Sequence, residues 1–158
     1  MTRFVEVRHT EWIDAPRDAV RSQFADLPHH IANNVHPKLR FEILTQDERR
    51  ARFVQEVRLL GLRQRDVFER VIADDGSMHD ESVEGFNKGG SLDFAFAAER
   101  GGTRVDICIR LPTPGPLALL RPLLAVQVRR ELRAAAAEDK YDIEVRGYPA
   151  PSLLMQQP

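Results

Sequence analysis

The 158-residue chain has one cysteine, Cys108. That excludes an intramolecular disulfide framework and any cysteine-rich zinc or iron–sulfur site. No apolar run approaches the roughly 18 residues of a spanning helix, so stable membrane insertion is not expected. The first residues lack the apolar stretch of a secretion signal, which makes a cytoplasmic location the expectation. Neither sign of charge dominates: 23 Lys and Arg stand against 24 Asp and Glu, for a formal charge of −1. The arginines are scattered, so there is no basic stripe of the kind nucleic acid requires. The glycine pairs Gly89-Gly90 and Gly101-Gly102 precede no helix, which argues against a phosphate cradle. Ser77, Ser82 and Ser91 have no nucleophile signature around them, and Cys108 alternates with charged residues as an inert thiol.

The patterning present is mostly that of strands. Arg3 to Ile13 alternates, with Val5, Val7, His9, Glu11 and Ile13 on one face. "DAPRDAVRSQFADLP" follows, with Asp14 as candidate N-cap and Pro16 in the first turn. Val20 and Phe24 give this helix its apolar stripe. Pro28 begins a second short helix through Asn34, and His36-Pro37 predicts extended backbone. From Leu39 to Leu111 about six strands are separated by turn signals such as "ADDGS", "NKGG" and "ERGGT". They include Phe41–Leu44, Phe53–Leu60, Arg63–Ile72, Met78–Phe86, a strand bearing Leu92, Phe94 and Phe96, and Arg104–Leu111. After "PTPGP" a long helix is predicted from about Leu117 to Asp139 or beyond. Leu117, Leu120, Leu124, Val128, Leu132 and Ala135 form its stripe.

These elements predict an α+β fold: a seven-stranded curved antiparallel sheet wrapped around a long C-terminal helix, with two short helices after strand 1. Residues 1–146 read as one domain and 147–158 as an irregular tail. A curved sheet and a helix leave a space between them for a ligand.

This order resembles the helix-grip superfamily, which includes START lipid-transfer domains, the birch-pollen allergen group, polyketide aromatase/cyclases and coenzyme Q-binding proteins. The resemblance rests on "WIDAPRDAVRSQFADLPHH" and on "GGTRVDICIRLPTPGPLALLRPLLAVQVRRELRAAAAEDKYDIE", with "GLRQRDVFERV" and "VEGFNKGGSLDFAF" between them. It implies a cavity for a hydrophobic or aromatic small molecule such as a lipid, a quinone or a polyketide-like compound. Candidate lining residues are His9, Glu11, Phe68, Phe94, Phe96, Ile107, Leu124 and Leu132; for each apolar one the plainer role is core. The expected protein is a monomer or homodimer, acting as carrier or as cyclase/dehydratase. In the enzymatic case His9, Glu11 and His29 are the candidate acid/base groups.

"LPHHIANNVHP" holds three of the five histidines. Adjacent His29 and His30 diverge by about 100° on a helix and cannot readily share an ion. His30 and His36 are able to converge, and Asp139 and Asp142 continue the stripe of the C-terminal helix. A buried carboxylate there needs a partner: a metal, a histidine or an arginine. The Rieske-type oxygenase catalytic domain, of the same superfamily, holds mononuclear iron with two histidines and one carboxylate. "DLPHHIANNVH" and "EDKYDIE" are similar to its ligand regions, although Asn34 stands where its second histidine falls and His36 comes two residues later. The alternative function is therefore a non-haem metal-dependent enzyme, with His30, His36 and Asp139 holding iron or zinc. Two further readings stay open, histidines at a helix start and in a loop without a ligand, and a protein-binding module of the chaperone-associated kind.

Overall fold

In a computed structural model, residues 3–149 are described apart from Leu60. Among them the chain forms β1 (Phe4–Ile13), α1 (Arg17–Ala25), α2 (Leu27–Ala32), β2 (Arg40–Gln46), β3 (Arg50–Leu59), β4 (Leu62–Ile72), β5 (Met78–Gly85), β6 (Ser91–Glu99), β7 (Gly102–Pro112) and α3 (Arg121–Glu144). A 3-10 segment, Gly115–Leu120, leads into α3. All seven strands join one antiparallel sheet in the order β1-β7-β6-β5-β4-β3-β2.

The alternation read in the sequence is the register of that sheet. Val5, Val7 and Ile13 of β1 and Val105 and Ile107 of β7 point to the same face and are buried together beneath α3. Phe24 of α1 seats edge-on against Phe94 and Phe96, with ring centroids 5.7 and 5.4 Å away. A second cluster (Leu27, Ala51, Phe53 and Phe68) fills the space under α2. Bulges between Ile43 and Thr45 and between Val67 and Phe68 break the pairing, the means by which a sheet bends. At the second bulge Gly85 lies opposite Asp66 with φ +113°. A Cβ there would run into the Arg65 carbonyl, so a side chain is excluded where the strands close.

Three local expectations are corrected. Asp14 does not cap α1: Pro16 occupies the N-cap without a side-chain bond, and Asp14 is too far back to reach the free amides. His36-Pro37 is not extended. Residues 33–38 turn, with Asn34 in the left-handed region (φ +48°) and the Leu39 amide donating to the His36 carbonyl. The C-terminal helix becomes α-helical only at Arg121, because the Pro-Gly-Pro lead-in sets up a 3-10 segment, and Leu120 is consequently exposed. Leu60 and most of the expected tail lie outside the described residues.

The buried face of α3 carries Val128, Leu132, Ala136, Asp139, Asp142 and Ile143. Its first half is apolar and its second half holds two acids. That change of character along one stripe divides the interior into an apolar and a charged end.

Candidate functional site

The space between the sheet and α3 is a cleft of two contiguous lobes. The outer, of about 150 Å3, lies between β3, β4, β6, β7 and the Val128–Ala135 face of α3. The inner, of about 90 Å3, reaches under α1 and α2. Leu39, Gln55, Leu92, Leu132 and Ala135 border both. The surface of the outer lobe is mainly apolar, although polar side chains such as Gln64, Ser82 and Asn87 border it, whereas the inner one ends on His30, His36 and Asp139.

Asp139 is the hub of that end and is 5% exposed. Its Oδ1 lies 3.0 Å from His30 Nε2, 3.3 Å from His36 Nε2 and 3.0 Å from Gln23 Nε2. Each histidine is held from behind. His30 Nδ1 donates to the Asp26 carbonyl at 2.8 Å, which orients the ring and directs Nε2 at the carboxylate. His36 Nδ1 lies 3.5 Å from Glu138 Oε1. The turn after α2 carries His36 back beside His30, leaving the ring centroids 5.2 Å apart.

Electrostatics follow the geometry. Burial alone would lower the His36 pKa, but Asp139 and then Glu138 outweigh it and push it up to about 10. Burial likewise opposes ionisation of Asp139, yet His36 and then His30 hold its carboxyl well below the usual carboxylate range. Without a metal the cluster is therefore a buried ion pair, stable because each charge faces its opposite.

A second pair backs the first. Asp142, 2% exposed, accepts from His29 Nε2 at 2.7 Å, while His29 Nδ1 is 3.0 Å from the Asn33 amide. Gln23 bridges the pairs, donating one N–H to Asp139 and one to Asp142, each at 3.0 Å. Its Oε1 is buried with no partner among the described residues. Asp26 caps α2 by accepting the His29 amide and also takes the Tyr148 hydroxyl, at 3.0 and 2.9 Å. On the opposite wall Arg70 makes a bidentate pair with Asp80 at 2.7 and 2.8 Å and donates to the Phe24 carbonyl.

The residues singled out in the sequence separate into groups. Phe68 borders the outer lobe, Phe94 and Ile107 the inner, and Leu132 both. Phe96 packs against Phe24 in the core. Leu124 borders a smaller pocket near the Leu62 turn. His9 and Glu11 hydrogen-bond each other at 3.0 Å on edge strand β1 and border neither lobe. His29 and His30 diverge, their ring planes 88° apart. Gln23, Gln55 and Glu138 were missed. Gln23 had a signal, a polar residue three after Val20 on the buried stripe of α1. Gln55 and Glu138 had none, since partly buried polar residues on a strand or helix are common.

The same donor set would hold a metal if its ligand atoms drew together. His30, His36 and Asp139 each offer one ligand atom, all within 4.8 Å of one another. Ligand atoms around an ion bound at about 2.1 Å sit roughly 3 to 3.5 Å apart. The hydrogen bonds to His30 Nδ1 and Asp139 are the outer-shell supports that such ligands need.

No protein-family model matches the chain, and no curated protein matches it. Solved structures do. TTHA0849 from Thermus thermophilus is 21% identical with a TM-score of 0.79, over 90% of this chain and 99% of that one. The Zhui aromatase/cyclase from Streptomyces sp. R1128 is 17% identical at TM-score 0.71, over 92% and 99%. A START superfamily protein from Mycobacterium smegmatis is 14% identical at TM-score 0.66, over 82% and 92%. With its single open sheet, its two short helices after β1 and its long terminal helix closing the cleft, the chain has the helix-grip fold.

Proposed function

We propose that the chain binds a hydrophobic or aromatic small molecule in the cleft between the sheet and α3. The observation that carries this is an apolar cleft that ends on a buried, charged histidine–aspartate cluster. Apolar enclosure supplies affinity, and a few polar groups fix orientation. Gln55 borders both lobes, and its amide makes no side-chain hydrogen bond to another described residue, so it is free to meet a ligand. A cavity of about 150 Å3 takes a benzene ring, so the two lobes suit a compact molecule of one to a few rings rather than a diacyl lipid. The protonated His36 imidazole beside Glu138 lies at the cleft's inner end. Such a cleft would serve a carrier as it stands, and a cyclase or dehydratase as the mould that folds its substrate.

Native mass spectrometry tests this reading. A bound apolar molecule should appear at one per chain, either co-purified or after addition of 8-anilinonaphthalene-1-sulfonate. It should disappear in Ala135→Trp, which fills the junction of the lobes. Retention of full stoichiometry by a folded Ala135→Trp protein would overturn the cleft as the site.

One observation favours a second reading, a metal-dependent enzyme: His30, His36 and Asp139 converge with their supporting hydrogen bonds in place. Two imidazoles and a carboxylate suit iron or zinc, which would supply Lewis-acid chemistry, and redox chemistry in the case of iron. Because the histidines must shed protons to bind, affinity should rise with pH. Elemental analysis of protein purified without chelator is expected to find about one ion per chain. His30→Ala/His36→Ala should lose it, with circular dichroism checking that the variant folds. No metal after incubation with ferrous or zinc ion and desalting would rule this reading out.

A further inference from the structure

We propose that the cleft takes an amphipathic ligand with one anionic group. Its rings lie in the outer lobe, and its phosphate or carboxylate sits on an arginine-lined depression at the rim. This inference rests on the cleft reading and names the chemical class of its ligand. The depression has a volume of about 260 Å3 and is bordered by Lys38, Arg40, Glu56, Val57, Arg58 and Arg63. The sheet register explains why it opens there. β2 begins to pair with β3 at Arg40 opposite Glu56, so Val57 to Leu59 run on past the start of the edge strand. Lys38 and Val57 border both this depression and the outer lobe. The two spaces therefore adjoin, and one molecule can reach from the apolar lobe to the arginines.

Charge identifies the group that the depression holds. Lys38, Arg40, Arg58 and Arg63 surround it with Glu56 as the only acid on its border. Glu56 is already engaged: Arg63 Nη2 donates to its Oε2 at 2.7 Å, and Arg65 Nε lies 3.7 Å from its Oε1. Lys38 Nζ makes only a long, exposed pair with Glu131, at 3.8 Å. Arg40 and Arg58 are exposed and form no ion pair or side-chain hydrogen bond with any described residue. Arg58 also stands directly opposite Arg63 in the β3–β4 register, and like charges so placed cost stability. Farther along the same two strands Arg52 stands opposite Glu69 and pairs with it. An oxyanion at the rim supplies the partner that Arg58 and Arg40 lack. The guanidinium fork matches a carboxylate or phosphate with two parallel hydrogen bonds.

Two dyes with the same ring skeleton test this. 8-Anilinonaphthalene-1-sulfonate carries an anionic group, and N-phenyl-1-naphthylamine does not. Fluorescence titrations are run at about 0.15 M salt, where charges beyond about 8 Å are largely screened. Arg40→Glu/Arg58→Glu should weaken the sulfonate by at least about ten-fold and leave the affinity for the naphthylamine unchanged. Both arginines are exposed and unpartnered among the described residues, so the variant should fold, which circular dichroism checks. Undiminished affinity of the variant for the sulfonate, or equal weakening of both dyes, would overturn the inference. Ala135→Trp keeps the two readings apart. Loss of both dyes in that variant, with the arginine variant indifferent, would remove the anionic anchor and leave the cleft reading standing. Retention of both dyes by a folded Ala135→Trp protein would overturn the cleft reading and this inference with it.

Discussion

Asp139→Ala is expected to destabilise the metal-free protein by about 3–5 kcal/mol at pH 6, the usual cost of removing one partner of a buried ion pair. The substitution leaves His30 Nε2, His36 Nε2 and one Gln23 N–H without their acceptor. It also changes how stability depends on pH. The His36 pKa is raised to about 10 in the folded chain, against about 6.5 unfolded. Its contribution is therefore complete below pH 6.5 and is lost as pH rises through 10. Asp139 is shifted the opposite way. Its contribution is present above the unfolded carboxylate pKa of about 3.8 and is lost as pH falls through the depressed folded value. The metal-free wild type should thus be most stable between about pH 4 and 6.5 as far as this cluster is concerned, and should weaken steadily toward pH 10. In Asp139→Ala that alkaline slope should shrink, because the main partner of His36 is gone. Urea unfolding at pH 5, 7 and 9 reads both effects. An alanine variant within 1 kcal/mol of wild type, with the same slope, would mean that the cluster is not a buried ion pair.

Arg70→Met has the second large effect, again about 3–5 kcal/mol. Arg70 and Asp80 are both nearly inaccessible, and the guanidinium also holds the Phe24 carbonyl and lies over the Phe53 ring, 5.4 Å from its centroid. Removing it strands the Asp80 carboxylate in the interior. The double variant Arg70→Met/Asp80→Leu removes both charges and should recover most of the loss, since apolar replacements for buried ion pairs are often neutral or better. Urea midpoints of the three proteins decide it. A double variant less stable than the single one would show that Arg70 acts through Phe24 and Phe53 rather than through Asp80.

The fold was legible because two periods dominate the chain. Alternation in β1 and β7 and the three- and four-residue steps of α3 depend on burying one face, and burial is what the sequence encodes most directly. The trio of His30, His36 and Asp139 was legible for the same reason: Asp139 falls on the buried stripe, and a buried acid requires partners. What sequence could not supply was the turn from Asn33 to Lys38. The His36-Pro37 pair argued for extended chain, whereas Asn34 in the left-handed region and the Leu39–His36 bond fold it back. His9 and Glu11 show the opposite limit. They were placed on the face of Val5 and Val7 with cavity and solvent both open, and strand order places β1 at the sheet edge, paired only with β7. No local pattern reveals which strand of a meander lies at its edge.

The most direct test of the account is heteronuclear NMR of the chain titrated with 8-anilinonaphthalene-1-sulfonate. The competing site is a broad open concavity of about 620 Å3 on the outer face of the sheet, bordered by His79, Asp93 and Cys108. It is larger but open and mixed in character, and so offers little apolar enclosure. The cleft reading predicts saturable shifts at Leu39, Gln55, Leu92, Leu132 and Ala135, with His79, Asp93 and Cys108 unmoved. Shifts confined to the outer face, with the cleft residues silent, would contradict it.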